Sequence, residues 1–265
     1  MLWVIIAWPK KSDFILNNSF DVIVIGAGAA GLMCAIESAK RNRKVLVLDH
    51  AKKIGEKIRI SGGGRCNFTN LNTHPSKFIS DNPKFVISAL NQYDQYDFIK
   101  LVESYKIKFH EKKLGQLFCD ESSQQIIDLL LSECEKYQVR INKEFIVEDV
   151  YNSNELYKVK SVDHLLSCQS LVIATGGLSI PKIGASKFGY DIAKQFGLNV
   201  ISTSPALVPL TFNEDILKIC KELTGLSVDA VVSFGKTLFQ EGMLFTHRGL
   251  SGPSDRKSTR LNSSH

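Results

Sequence analysis

From Phe20 onward the chain alternates short, wholly apolar runs with glycine-bounded amphipathic stretches. Asp21-Val-Ile-Val-Ile25 is a β-branched run of strand length, the pattern of a strand covered on both faces in a parallel sheet. Gly26-Ala-Gly28-Ala-Ala-Gly31 follows at once, and Leu32 to Ala39 reads as a helix of small and apolar residues. Lys44-Val-Leu-Val-Leu48 predicts a second buried strand ending at Asp49, which makes a βαβ unit with a right-handed crossover. Residues 50–82 show no regular periodicity. Helical spacing returns at Phe85, Val86, Ala89 and Leu90, at Phe98, Ile99, Leu101 and Val102, and at Ile126, Ile127, Leu130, Leu131 and Cys134.

Short strands are predicted at Val139–Asn142, Phe145–Val150 and Leu156–Val162, separated by turn signals such as Asn-Ser-Asn. Leu171-Val-Ile-Ala174 is a further buried strand running into Thr175-Gly176-Gly177. A helix is predicted from Lys187 to Phe196, with Ser186 as N-cap and Gly197 as C-cap. After Ser204 the pattern shifts to proline-punctuated strands, Ser227–Phe234 among them, and a second domain is expected to open near residue 201.

Composition narrows the class. A hydrophobic share of 44% over 265 residues is that of a globular chain with a real core. No apolar run approaches the ~20 residues of a membrane-spanning helix. The six cysteines (Cys34, Cys66, Cys119, Cys134, Cys168 and Cys220) form no C-x-x-C pair and no zinc-like spacing, so no metal is expected. Their usage suits reduced thiols and a cytoplasmic location. Residues 1–18 are expected to be a loosely packed extension, apolar at the start but with Lys10 and Lys11 on the wrong side for a signal peptide. Residues 255–265 lack apolar periodicity and read as a translated sequencing adapter, so a non-native tail is expected there. The tail contributes +2 and the extension +1 to the formal net charge of +6, which leaves +3 for residues 19–254. That charge says little about partners.

G-x-G-x-x-G alone is a weak signal. Here it stands between a buried strand and a helix, with an acid closing the next strand, which is the dinucleotide-binding arrangement. Gly26 permits the tight turn, Gly28 lets backbone approach a pyrophosphate, and Gly31 allows close helix–strand packing. Asp49 can accept hydrogen bonds from ribose hydroxyls. FAD and NAD remain unseparated at this level. A second element, Gly55-Glu-Lys-Ile-Arg-Ile-Ser61-Gly-Gly-Gly-Arg65-Cys66-Asn67-Phe-Thr69-Asn70, offers at its three glycines a backbone nest of N–H groups beside a fixed cation. A third, Ala174-Thr175-Gly176-Gly177, is a strand end that passes close to something bulky.

Ser61-Gly-Gly-Gly-Arg-Cys-Asn-Phe-Thr-Asn70 is the run that separates the cofactors. Together with Ala174–Gly177, Ser179-x-Pro181, Pro205–Leu210 and Gly242–Pro253 it resembles a family of bacterial NAD(P)/FAD-dependent oxidoreductases, the aminoacetone-oxidase-like flavoproteins, across residues 20–254. The resemblance implies an α/β, Rossmann-type FAD-binding fold with a β-meander over residues 19–200 and the start of an inserted β-rich domain over residues 201–254. It implies FAD pyrophosphate at Gly26, Gly28, Ala29 and Gly31, and adenosine ribose at Asp49. Glu56, Lys57, Ser61, Gly62, Gly63, Gly64, Arg65, Cys66 and Asn67 are implied to line the flavin side, Val147 to meet the adenine by its backbone, and Thr175 and Gly176 to press on the cofactor.

The family returns after its inserted domain to a late strand–helix motif, and no such motif stands in these 265 residues. The chain is therefore expected to be C-terminally truncated, and an inactive fragment is one reading. The leading reading is hydride transfer between flavin and a small-molecule substrate, an amine or an activated C=C bond. Its rival is reduction of uridine in ribosomal RNA. With one G-x-G-x-x-G in the chain, NAD(P)H is expected to dock only transiently as electron donor. No catalytic residue is assigned. Cys66 is expected to be structural, since no resolving partner stands near it in sequence. His247 is expected in a turn and helix cap rather than as a general acid. The basic residues between Lys40 and Lys44 read as a solvated helix end.

Overall fold

The structure is a computed structural model that describes residues 4–6, 19–78, 80–180, 183–204, 209–234 and 237–252. Most of the extension, Pro181, residues 205–208 and the tail from Pro253 lie outside the described residues. The chain forms two compact units, Met1–Asn199 and Val200–His265.

The first unit is built on strands β1 (Val4–Ile6), β2 (Ser19–Ile25), β3 (Val45–Leu48), β4 (Asn67–Asn70), β5 (Phe109–Glu111), β6 (Gln116–Cys119), β7 (Arg140–Asn142), β8 (Asp149–Ser153), β9 (Leu156–Lys160) and β10 (Leu165–Ile173). Its helices are α1 (Ala29–Ala39), α2 (Glu56–Ile60), α3 (Ile87–Gln92), α4 (Gln95–Ser104), α5 (Gln124–Lys136) and α6 (Phe188–Gln195). The main sheet runs β7-β3-β2-β10-β9-β8, with β7, β3, β2 and β10 parallel and β10-β9-β8 an antiparallel meander. This is a Rossmann-type sheet with β2 central.

The β-branched run of β2 has a physical reason. Val22 and Val24 pack with Leu32, Ala35 and Ile36 of α1 and with Ile126, Ile127 and Leu130 of α5. Ile23 and Ile25 enter the opposite core with Leu46, Leu48, Val159, Leu171 and Ile173. Each such fully buried side chain contributes ~1.5–3 kcal/mol, so apolar contact stabilises the strand from both faces.

Three corrections concern the meander and the extension. Residues 145–148 are not strand, because β8 begins only at Asp149, where pairing to β9 starts. The strand read as Leu171–Ala174 begins at Leu165, since its first residues pair with β9. Within the extension, Val4–Ile6 pair antiparallel with Leu171–Ile173, beyond the point where β9 leaves β10.

Residues 50–82, featureless by periodicity, hold α2, a 3₁₀ turn at Ser61–Gly64 and β4. Strand β4 joins β6 and β5 in a small antiparallel sheet of order β4-β6-β5. Helix α6 starts one residue later than expected, with Lys187 at its N-cap, although the Ser186 hydroxyl accepts the Phe188 N–H at 3.3 Å. Gly197 ends it at φ +76°.

The second unit holds β11 (Leu210–Thr211), α7 (Glu214–Glu222), β12 (Ser227–Phe234), β13 (Thr237–Thr246) and β14 (Gly249–Ser251), in an antiparallel sheet β11-β14-β13-β12. Helix α7 is not among the predicted elements. His247 lies with Arg248 in the two-residue turn between β13 and β14 and caps no helix among the described residues.

Candidate dinucleotide-binding site

The residues implied to hold the cofactor in the first unit follow the carboxyl ends of the parallel strands, where open α/β sheets bind their ligands. Strand β2 ends at Ile25, and the next peptide is pinned from both sides: Gly26 N–H donates to Leu48 O at 2.7 Å, and Ala174 N–H donates to Ile25 O at 2.8 Å. The three glycines that follow do different jobs. Gly26 has φ +110°, and a Cβ there would lie 2.5 Å from Ala174 O. A Cβ on Gly31 would lie 1.8 Å from Gly26 O, so only glycine lets α1 start this close to the strand. A Cβ on Gly28 would meet nothing within 4 Å. Gly28 is the N-cap of α1, with no side-chain cap and no acid in the first turn beside Ala29, so the N-terminal N–H groups are left for an anion.

Asp49 stands at the end of β3 with its side chain only 14% exposed. Its Oδ2 accepts the Ala27 N–H at 2.6 Å, and its Oδ1 accepts the Ala51 N–H at 2.8 Å. Oδ2 keeps a second lone pair for a hydroxyl donor, while the exposed His50 Nδ1 stands 3.6 Å from Oδ1. The backbone of the meander reaches the same place: Phe145 N–H donates to Asp49 O at 2.9 Å. Val147 lies two residues on, half-buried against the second core.

Helix α2 is held by Arg59, which pairs with Glu56 at 3.3 Å, donates to Ile54 O at 3.2 Å and bonds Gln124 of α5. Glu56 is thus turned toward its own helix. Lys57 points the other way and bridges to the loop after β10, reaching Ser179 Oγ at 2.9 Å and Gly177 O at 3.5 Å. Gly176, at φ +77°, is where that loop passes the Lys57 ammonium.

Gly62, Gly63 and Gly64 have φ of +59°, +68° and +86°, three successive left-handed residues in the loop read as a backbone nest. Gly62 packs on Phe118, while Gly63 and Gly64 face open space. The loop is fastened at its back. Ser61 Oγ donates to Ile58 O at 2.8 Å, Cys66 N–H to Ser61 O at 3.0 Å, Ser123 N–H to Gly64 O at 2.7 Å and Cys119 N–H to Arg65 O at 3.0 Å. Arg65 is exposed and has no ion-pair partner among the described residues. The Asn67 side-chain amide lies against Thr69 O and Leu117 O. Cys66 is buried at φ +53°, and burial pushes its thiol up against a smaller opposing hydrogen bond from Ser61. A buried thiol raised above its ordinary value is the opposite of thiolate activation.

The Thr175 hydroxyl is buried with no hydrogen-bond partner. An orphan hydroxyl, an uncapped helix N-terminus behind a side-chain-free Gly28, and a nest open at Gly63 and Gly64 fit a bound dinucleotide. Sequence reasoning missed the supports of this site: Ala27, Phe118, Ser123 and, as a partner of Lys57, Ser179. Among the described residues no group of His, Cys, Asp or Glu is placed to hold a metal ion, and no helix is long and apolar enough to cross a membrane.

The profile of a family described as "HI0933-like protein Rossmann domain" matches residues 20–250. The chain is 50% identical over 236 residues to the ribosomal RNA dihydrouridine synthase of Escherichia coli K12, covering 89% of this chain and 59% of that protein. It is 48% identical over 245 residues to the protein of the same name in Haemophilus influenzae, covering 90% of this chain and 61% of that protein. A 3-dehydro-bile acid delta(4,6)-reductase of Clostridium scindens is 26% identical over 237 residues, covering 86% of this chain and 57% of the relative. The chain spans about three fifths of the length of these curated relatives.

Proposed function

The chain belongs to the HI0933-like Rossmann family, an FAD-binding family of oxidoreductases, and from that premise we propose that it serves the reduction of uridine to dihydrouridine in ribosomal RNA. The observation that carries this reading is the 50% identity to a ribosomal RNA dihydrouridine synthase over 236 residues, 89% of this chain. Chemistry supports it. The uridine C5=C6 bond is conjugated with the C4 carbonyl, so it belongs to the activated C=C bonds expected of the substrate, and the rRNA reading is preferred here to amine oxidation.

When bound, FAD supplies a hydride, and one proton completes the saturation of C5=C6. The chain's own residues hold and orient. The N-terminus of α1 behind Gly28 and Ala29 takes the pyrophosphate, and Asp49 takes the ribose. Gly63, Gly64 and Arg65 present N–H groups and positive charge to the flavin side, with Cys66 and Asn67 fixing the loop behind them. Lys57, held by Ser179, keeps the loop at Thr175 and Gly176 against the α2 side of the site. Glu56 contributes through Arg59. Val147 brings the meander backbone to the adenosine end. NAD(P)H docks transiently as electron donor, and the cytoplasm is the compartment in which such an RNA is met.

The test uses ribosomal RNA transcribed in vitro, which contains uridine and no dihydrouridine. It is incubated with the protein, FAD and NAD(P)H, digested to nucleosides and read by mass spectrometry. A product heavier than uridine by two hydrogens supports the proposal. Bound, reducible flavin with no such product overturns the RNA reading.

A further inference from the structure

The small β4-β6-β5 sheet carries a charged face that the dinucleotide site does not use. On the edge strand β5 and its continuation, successive residues alternate between two sides. Phe109 packs into the first core, and Glu111 accepts the Gly115 N–H at 2.9 Å. Lys108, His110 and Lys112 take the other side and are exposed. Register places Phe118 directly across from His110, and Asp120 N–H donates to Lys108 O at 3.0 Å.

The His110 ring is fixed on two sides. It stacks on Phe118 with centroids 6.3 Å apart and planes within 19°, and its Nδ1–H donates to Asp120 Oδ1 at 2.7 Å. The imidazole side chain remains 43% exposed. Lys112 Nζ sits 5.3 Å from the Phe118 centroid, and Lys108 has no ion-pair partner among the described residues. Phe118 also touches the nest: a Cβ on Gly62 would lie 2.7 Å from its Cε1. A strip with cations at Lys108 and Lys112, and an immobilised ring between them, therefore leads up to the loop that carries Arg65.

We propose that this face is an RNA track, on which Lys108 and Lys112 contact backbone phosphates while a base stacks on the open face of His110. The proposal rests on the RNA reading of the dinucleotide site. Three features favour a polynucleotide. Lys108 and Lys112 stand four residues apart along an extended segment, ~13 Å at ~3.3 Å per residue, about two intervals between successive phosphates of an extended strand. The cations outnumber the acid Asp120, which is already occupied by His110. A ring held flat by a neighbour and a hydrogen bond has little freedom left to lose when a base stacks on it.

The probe is a fluorescein-labelled, uridine-containing single-stranded RNA of about 12 nucleotides, within the ~4–16 such grooves span, titrated at several salt concentrations. The chain is expected to bind it. Lys108→Ala with Lys112→Ala is expected to reduce the magnitude of the log K against log salt slope by about 1.4, or ~0.7 for each lost single-strand phosphate contact. His110→Ala is expected to weaken binding by about tenfold, and His110→Tyr to restore it by stacking. Far-ultraviolet circular dichroism and FAD titration check that the variants fold and keep the dinucleotide site. If the chain binds RNA and the lysine pair leaves affinity and slope unchanged, the track is overturned while the proposed function stands. If the His110→Tyr variant binds no better than His110→Ala, the stacking role is overturned. If the chain binds no RNA, the track and the RNA reading fall together.

Discussion

The Asp49 carboxylate latches the glycine-rich turn it also serves: its Oδ2 accepts the N–H of Ala27, a fully buried residue, at 2.6 Å. The acid at the end of β3 therefore has a structural duty in the free protein, beside the ribose contact proposed for it. Its second bond, from Ala51 N–H at 2.8 Å, orients the carboxylate plane.

Asp49→Ala is expected to lower stability as well as affinity. It leaves the buried Ala27 N–H unpaired, at a cost of ~1–3 kcal/mol, and removes the acceptor proposed for the ribose. Asp49→Asn retains one carbonyl oxygen but turns an NH2 toward the other backbone donor, so its melting temperature falls between wild type and Asp49→Ala. Thermal melts with and without FAD read both effects. A wild-type melting temperature for Asp49→Ala would remove the latch.

The glycines of the turn are separable by substitution. Gly28→Ala enters open space at φ −83°, a conformation alanine adopts freely, so its stability should stay within ~1 kcal/mol of wild type. Under the proposed assignment its methyl stands in the path of the pyrophosphate, and FAD affinity should drop at least about tenfold, ~1.4 kcal/mol. Gly31→Ala puts a methyl 1.8 Å from Gly26 O and should cost ~1–3 kcal/mol or more before any ligand is added. Urea melts beside flavin titrations check the pair. Equal destabilisation by both would contradict the assignment.

This turn was legible in the sequence because every determinant is local: a double-faced apolar strand, glycines at fixed offsets and an acid at the end of the next strand. Residues 50–82 were not, for the opposite reason. Helix α2 is five residues long and β4 four, too short for periodicity to show. The nest itself was readable from its glycines, yet its supports come from afar, through Phe118, Cys119 and Ser123. The Lys57–Ser179 bond joins residues 122 apart, and no local pattern announces it. Helix α7 did leave a signal, since Asn213 precedes an apolar set at Ile216, Ile219 and Cys220 with helical spacing. The β-rich pattern around it outweighed that signal.

The buried thiols predict an alkaline limit to stability. Burial pushes Cys119, Cys134 and Cys168 up to about 12 from an ordinary value of 9.0, with neighbouring Cys66 and Asp120 adding to the effect at Cys119. Tyr93 rises from 10.0 to about 12, again mainly by burial. These acids ionise more readily in the unfolded chain. Their contribution is therefore complete below pH 9 and is lost as pH rises from 9 toward 12. Chemical denaturation at a series of pH values should show stability falling through that window. Alkylation of the folded protein at neutral pH should be slow at Cys66, and rapid labelling there would contradict its burial.

Thr175 supplies the sharpest test of the cofactor face, because in the free protein its hydroxyl is a liability. The Oγ1 atom is buried without a partner, and Gly189 packs close enough that a Cβ there would lie 3.1 Å from it. An unpaired buried hydroxyl costs ~1–3 kcal/mol. Thr175→Val replaces it with a methyl of similar size and should raise the melting temperature of the ligand-free protein. If the hydroxyl is kept for the dinucleotide, the same change should weaken FAD binding about two- to tenfold, the worth of one hydrogen bond at ~0.5–1.5 kcal/mol. The two readouts then move in opposite directions, which a simple packing defect cannot produce. Thr175→Ser keeps the hydroxyl and should bind FAD more tightly than the valine variant while losing stability to the missing methyl. A valine variant that gains stability and binds FAD as tightly as wild type would show that the orphan hydroxyl has no part in holding the cofactor.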